Sequence, residues 1–299
     1  MRCMPRSSRA SRLVLPAIAV ALFVVPLSEP GEAVYGGTEA AEGAYPFMVH
    51  VFIGEPHDGI VCGGSLVAPT FVLTAGHCLP SFADDALGPN LFTGGEDLED
   101  YRVVIGRVDL SGTGGEVIAV KAGHLHPEYN IVPYNHGAVA AANDIALLEL
   151  AEPSSYAPAR PATNADLALY APGTEARVLG WGCTPEVCFP ERLMEVDVPV
   201  WSDAECAAAS NYAVMFHADS ELCAGSDGKD SCGGDSGGPL FVRDEAGDAV
   251  VFGVVSYGAL FEVNTDDPFA GFVPCGSDQH PGVYTEVAAF EDFLMSFLG

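Results

Sequence analysis

The chain has 299 residues, length for one or two domains with a sizeable core, and sets 12 basic against 41 acidic side chains for a formal net charge of −29. That balance argues against nucleic acid as a partner, since a phosphate backbone is held by Lys and Arg. It leaves either a solvated surface that keeps the protein soluble or a field that draws in cationic substrates.

Residues 1–33 read as a secretory signal. Arg2, Arg6, Arg9 and Arg12 precede an apolar run from Leu13 to Leu27, and Gly31-Glu32-Ala33 is a small-x-small site of the kind signal peptidase cuts. The competing membrane anchor is disfavoured because a run interrupted by Pro16 and Pro26 is too short to span a bilayer comfortably. No later run is long and apolar enough for a transmembrane helix, so the mature chain is expected to be secreted, extracellular or periplasmic, and free of the membrane. Losing the leader takes Cys3 away and leaves eight cysteines: Cys62, Cys78, Cys183, Cys188, Cys206, Cys223, Cys232 and Cys275. An even set implies disulfides and an oxidising compartment, whereas the ligand spacing of a zinc site is missing.

From Val34 the pattern is short β-like runs between Gly, Pro and Asp/Asn clusters: Phe47 to Ile53, Gly64 to Val67, Arg102 to Ile105, Val117 to Val120 and Ile145 to Leu150. A Pro/Ala-rich connector, Ala151 to Pro161, follows. The rhythm resumes at Glu175 to Leu179, Met194 to Val200, Leu240 to Arg243, Val250 to Ser256 and Gly282 to Thr285. Two β units of similar size are expected, 34–150 and 151–299. Val287, Phe290, Phe293, Leu294 and Phe297 fall at helical spacing and predict a terminal helix, read as a packing element with a partner-binding helix as the alternative.

Three short segments carry chemistry. In Gly234-Asp235-Ser236-Gly237-Gly238-Pro239 a serine between glycines suits a tight turn that exposes a hydroxyl and lets a carbonyl approach backbone N–H groups. The same letters fit the nucleophile elbow of α/β-hydrolases. That elbow needs a helix after the serine and a late acid and histidine, whereas here an apparent hairpin follows and His280 is the only later histidine. Leu73-Thr74-Ala75-Gly76-His77-Cys78 places a histidine beside a cysteine, and Asn143-Asp144-Ile145-Ala146-Leu147-Leu148 places an acid at the start of an apolar strand, where it would need a partner. Singly, each fits a structural role; the order His77, Asp144, Ser236 points to nucleophilic catalysis.

These segments, TAGHC, NDIALL and GDSGGP, resemble those of the trypsin-like, chymotrypsin-fold serine peptidases from Val34 to the C-terminus. The resemblance implies an all-β fold of two six-stranded antiparallel barrels with the active site between them, plus the C-terminal helix. It implies Ser236 as nucleophile, His77 as general base and then acid, Asp144 as the group orienting the imidazole, and the N–H groups of Gly234 and Ser236 as an oxyanion hole. Asp230 falls where trypsin-like enzymes keep the carboxylate at the floor of the specificity pocket, with Ser231 beside it and Gly258 and Gly282 in its walls. Cleavage after Arg or Lys follows, against the alternative that Asp230 is merely solvated in a loop. Ser256, Tyr257 and Gly258 are expected to form an edge strand that pairs with substrate, with Tyr257 where the family usually has Trp.

By the same resemblance the amino group of Val34, once free, pairs with Asp235 and orders the oxyanion hole. With Ala33 rather than Arg or Lys before it, export itself would expose Val34; removal of a short propeptide, 28–33, is the rival. The family pairing suggests Cys62–Cys78, Cys206–Cys223 and Cys232–Cys275, leaving Cys183–Cys188 as a local bridge. Segments Leu79 to Asp100, Ile131 to Ala142 and Ala259 to Pro274 are long for the family, either narrowing access to the cleft or as variable surface insertions. Acids within them would favour basic substrates if they face the cleft. No metal or cofactor is expected: Arg107 stands where a calcium loop would need a carboxylate, and His124, His126 and His136 form no matched set. The expected partners are protein or peptide substrates, with a protein inhibitor as an optional further one, and the expected state is monomeric. A secreted binding protein that kept the fold without turnover is the alternative function.

Overall fold

A computed structural model describes residues 34–54, 60–79, 98–133, 139–184, 189–209, 215–258, 275–277 and 279–299. Residues 1–33, 80–97, 134–138 and 259–274, and with them most of two of the long segments and part of the third, lie outside these, as does Cys188. The first half supplies β1 (Thr38–Glu39), β2 (Met48–Ile53), β3 (Ile60–Ala68), β4 (Phe71–Thr74), β5 (Tyr101–Ile105), β6 (Glu116–Leu125), β7 (Asn130–Pro133), β8 (Val139–Ala142) and β9 (Ala146–Leu150). The second supplies β10 (Arg160–Pro161), β11 (Glu175–Gly180), β12 (Met194–Pro199), β13 (Glu221–Ala224), β14 (Pro239–Arg243), β15 (Ala249–Tyr257) and β16 (Gly282–Glu286). Among the described residues the α-helices are α1 (Asp203–Ala208) and α2 (Glu291–Leu298).

Strands β2-β3-β4-β9-β6-β5 close into an antiparallel barrel. On β6 the period of two shows directly: Ile118 and Val120 are buried, while Val117 and Lys121 at the alternate positions are exposed. On β2 both faces are covered, because its outer side meets the second half: Phe47, just before it, lies edge-on to Phe241 of β14 at 5.3 Å.

The second half forms one sheet in the order β1-β12-β11-β14-β15-β16-β13, with β10 added beside β15. Six of these strands come round on themselves, since the bridge Val200 to Ala224 and the 2.9 Å bond from the Trp201 N–H to the Cys223 carbonyl join the end of β12 to β13. This second ring carries two additions to the expected six strands, β10 and the N-terminal β1, which pairs antiparallel with β12. The core runs through both units: one apolar cluster unites the first barrel with Phe241, Val251, Val254 and Leu294, and a second fills the other barrel around Val34, Phe252 and Tyr284.

The terminal helix is two pieces, a 3₁₀ turn over Val287–Phe290 and then α2. It packs on β6 and the turn after it, with His126 edge-on to Phe290 and Phe293 at 5.0 and 5.1 Å and His124 against Phe297 at 4.4 Å. These two histidines therefore serve as packing partners. A helix absent from the sequence expectation, α1, begins at a capping box: Ser202 Oγ accepts from the Glu205 N–H while the Glu205 carboxylate accepts from the Ser202 N–H.

Candidate active site

His77 sits on a one-turn 3₁₀ segment, Gly76–Cys78, immediately after β4, and the Cys62–Cys78 disulfide ties that turn to β3. Asp144 stands just before β9 and is 1% exposed. The chain reaches it through Asn143 at φ 53°, a left-handed conformation that Asn tolerates better than most residues, and the Asn143 amide donates to the Glu128 carbonyl at 2.8 Å. The two side chains meet at 2.7 Å between His77 Nδ1 and Asp144 Oδ2, and the His77 backbone N–H donates to Oδ1 at 2.8 Å.

The second unit completes the setting of the acid. The Ser256 hydroxyl donates to Asp144 Oδ2 at 2.5 Å, and the Thr285 hydroxyl donates to the Asp144 carbonyl at 2.8 Å. Burial alone would raise the Asp144 pKa; the positive charge available on His77, its two hydrogen bonds and that from Ser256 outweigh it and hold the group below the ordinary aspartate range. Burial works against charge on the His77 ring, and the Asp144 charge and hydrogen bond overcome it, leaving the imidazole above its usual pKa. Neither Ser256 nor Thr285 was assigned this contact from sequence. Their partner lies 112 and 141 residues away, and no local motif announces it.

Ser236 is partly exposed on a turn closed by the Gly238 N–H bond to the Asp235 carbonyl at 2.8 Å. That turn is seated against the histidine side of the site. The Gly63 N–H on β3 donates to the Ser236 carbonyl at 2.7 Å, and a Cβ on Gly237 (φ 78°) would strike Thr74 Oγ1, the Gly63 carbonyl and Cys78 Sγ. Glycine at 237 is thus set by both conformation and space. Gly234, at φ 99°, lies against Gly182 and the ring of Phe189.

Asp235 is completely buried, its oxygens accepting from the N–H groups of Gly182 and Cys232 at 2.7 and 2.8 Å. Burial pushes its carboxyl up to about 7 against those two bonds. Val34 is also completely buried, within the second core. Asp230 is 4% exposed and accepts from Gly282 N–H at 3.1 Å and Gly276 N–H at 3.4 Å. Burial pushes it up to about 8; N–H donors partly offset this and the nearby Asp235 adds to it. Among the described residues no Arg, Lys or His forms an ion pair with either aspartate.

Ser231 lies beside Asp230 and accepts from the Tyr284 hydroxyl at 3.1 Å. A Cβ on Gly282 would meet Asp230 Oδ1 and Ser231 Oγ within 3 Å, whereas one on Gly258 would meet no atom of the described residues within 4 Å. Gly282 thus permits close packing on the acid. The Cys232–Cys275 disulfide brackets this region and Cys206–Cys223 lies behind β13; Cys183 is also disulfide-bonded, with its expected partner Cys188 outside the described residues. At the calcium loop of the resemblance, Arg107 Nε donates to the Gly114 carbonyl at 2.5 Å and Glu116 accepts from the hydroxyls of Ser154 and Ser155.

A closed barrel that offers a partly exposed histidine on a buried aspartate, joined to a second β unit whose serine turn is seated against it, is the arrangement of the chymotrypsin-fold serine endopeptidases. Comparison with known proteins agrees. The trypsin family model matches residues 34–294. The chain is 34% identical over 265 residues to a trypsin of Saccharopolyspora erythraea, covering 88% of this chain and 96% of that protein. It is 33% identical over 282 residues to a trypsin-like protease of Streptomyces glaucescens (91% and 87% covered) and 31% over 297 residues to human chymotrypsin-like elastase family member 3B (95% of each). The chain belongs to the trypsin family and is a serine endopeptidase.

Proposed function

We propose that this endopeptidase is secreted and hydrolyses peptide bonds after Arg or Lys through an acyl-enzyme on Ser236. His77 takes the Ser236 proton as the oxygen adds to the peptide carbonyl, and Asp144 holds the ring in the tautomer whose far nitrogen is the base. The N–H groups of Gly234 and Ser236 stabilise the oxyanion, a contribution of about 3 kcal/mol per donor in such sites. The proton on His77 then passes to the leaving amine. Water, deprotonated by the same imidazole, attacks the acyl carbonyl and releases Ser236.

Asp230 carries the choice of substrate. A buried carboxylate held by two N–H donors and without a cation of its own among the described residues is completed by an incoming guanidinium or ammonium, and glycine at 258 adds no side chain to the approach. Val34 is buried in the unit that holds Asp235, as suits a terminus that pairs with that acid once its amino group is free. We read residues 1–33 as the export signal, 34–150 and 151–299 as the two β units, and the mature protein as a monomer acting on protein substrates and open to control by a protein inhibitor. No helix of the described residues is long and apolar enough to cross a membrane.

Cleavage-site profiling in a denatured protein mixture, run beside organophosphorus labelling, tests this reading. Cuts after Arg and Lys, and a label on Ser236 that Ser236→Ala abolishes, are expected. Cuts after large apolar residues would remove the assignment to Asp230, and a label elsewhere would remove that to Ser236.

A further inference from the structure

Glu221 opens β13 and is only 4% exposed, yet belongs to no motif. Its Oε2 accepts from the His217 backbone N–H at 2.8 Å and from the Tyr257 hydroxyl at 3.0 Å. Tyr257 ends β15, at the edge read above as the substrate-pairing strand. The register of β15 on β16 shifts between Val255 and Tyr257, which leaves Ser256 as the extra residue of a bulge. A bulge re-aims side chains, and here two consecutive residues turn to two different acids: Ser256 to Asp144, Tyr257 to Glu221. Tyr257 packs against the small apolar cluster of Cys206, Met215, Cys223 and Val283, while its hydroxyl is held by Glu221.

We propose that Glu221 is a positioning residue that fixes the end of the substrate-binding strand by gripping the Tyr257 hydroxyl, and so sets affinity for an extended peptide rather than the rate of bond cleavage. A tryptophan at 257, as the family resemblance would lead one to expect, has no hydroxyl and carries its one donor on the indole ring nitrogen; the tyrosine hydroxyl is the donor that Glu221 accepts here. The inference rests on the reading of 256–258 as the substrate edge.

The grip is sensitive to pH. Burial pushes the Glu221 carboxyl up to about 7, offset by the bonds from His217 and Tyr257 and reinforced by the charge of Asp144. The titratable groups around it are Tyr257 on β15, His217 in the turn before β13, and Asp144 before β9; on β16, Glu286 takes the hydroxyl of Tyr170 instead. A carboxylate accepts a hydrogen bond about twice as strongly as a neutral acid. The strand end is therefore held more firmly as pH rises through about 7.

The experiment compares KM for a tripeptidyl amide, which can pair with the strand, with KM for an ester of a single amino acid, which cannot. Taking the ratio of the two cancels the titrations of His77 and Asp230, which both substrates share. In the wild type the ratio should fall about threefold to tenfold between pH 6 and pH 8. In Glu221→Gln it should stay high and flat, with the ester KM and kcat of that variant close to wild type. Tyr257→Phe should raise the ratio by the same factor, and the double variant should be no worse than either single one. A flat wild-type ratio, additive effects in the double variant, or equal losses on both substrates would overturn the proposal. Should Glu221→Gln fold poorly, Tyr257→Phe alone decides: its ratio must lose the pH dependence. The residue at the cleaved bond is whichever the profiling finds, so a failure of the Arg/Lys reading leaves this comparison intact and separately readable.

Discussion

Asp230→Asn isolates charge from shape in the proposed specificity pocket, because the amide oxygen still accepts from the Gly276 or Gly282 N–H groups while the negative charge is gone. Asp230 is 4% exposed, so a guanidinium brought to it is stripped of water, and leaving one member of such a buried pair uncompensated costs about 3–5 kcal/mol. At 1.36 kcal/mol per factor of ten, kcat/KM for arginyl and lysyl peptides should drop by about two to four orders of magnitude. Matched glutaminyl peptides should change by less than about tenfold, since no charge pair is lost with them. Paired chromogenic amides, corrected for active sites by titration with an acylating reagent, give both numbers. Stability supplies a second reading. The folded Asp230 is raised to about 8, so the native state keeps a proton that the unfolded chain releases near pH 4; that contribution is complete below pH 4 and lost as pH rises through about 8. The asparagine variant, which does not titrate, should lack this decline. Arginyl activity within tenfold of wild type would refute the reasoning.

Asp144→Asn should lower kcat/KM by about four orders of magnitude, and in the residual activity the acid limb of the pH profile should move to lower pH, because Asp144 is what lifts the His77 pKa. Chain whose Val34 is still joined to Ala33 should lose thermal stability as pH rises from about 4 through about 7, the span in which the unfolded chain releases the Asp235 proton and the fold still holds it, and should level off above that; a free Val34 ammonium should cancel that loss, measurable by calorimetry from about pH 4 to 9. Replacing Cys232 and Cys275 by Ser opens a loop of sequence separation 43 and should lower stability by about 4 kcal/mol in denaturant titrations.

How far the fold was legible follows from where its signals are local. Apolar runs such as Glu175 to Leu179 and Met194 to Val200 became β11 and β12 within a residue or so, because alternation and flanking Gly and Pro act along the chain. Strands β4 (FVLT) and β13 (ELCA) have four residues each, too few to show a period. Helix α1 carries a readable capping box at Ser202 and Glu205, masked by its length of six residues. In the site, His77, Asp144 and Ser236 each sit in a segment whose glycines and apolar neighbours are informative. The groups that hold Asp144 from the second half, Ser256 and Thr285, are single polar residues in strands. Only the docking of the two halves gives them that partner, and pattern along the chain carries no trace of it.

Asp144 comes from the first half and is held by Ser256 and Thr285 of the second; Ser236 comes from the second half, and its carbonyl is held by Gly63 of the first. Each half thus keeps the other's reactive residue in place. A chain severed in the connector 151–161 would carry the full set of reactive side chains in two fragments, and neither alone would have them arranged. Turnover on reassembly then becomes a gauge of docking, and it would register misalignment of the halves before any loss of β-structure is visible by circular dichroism.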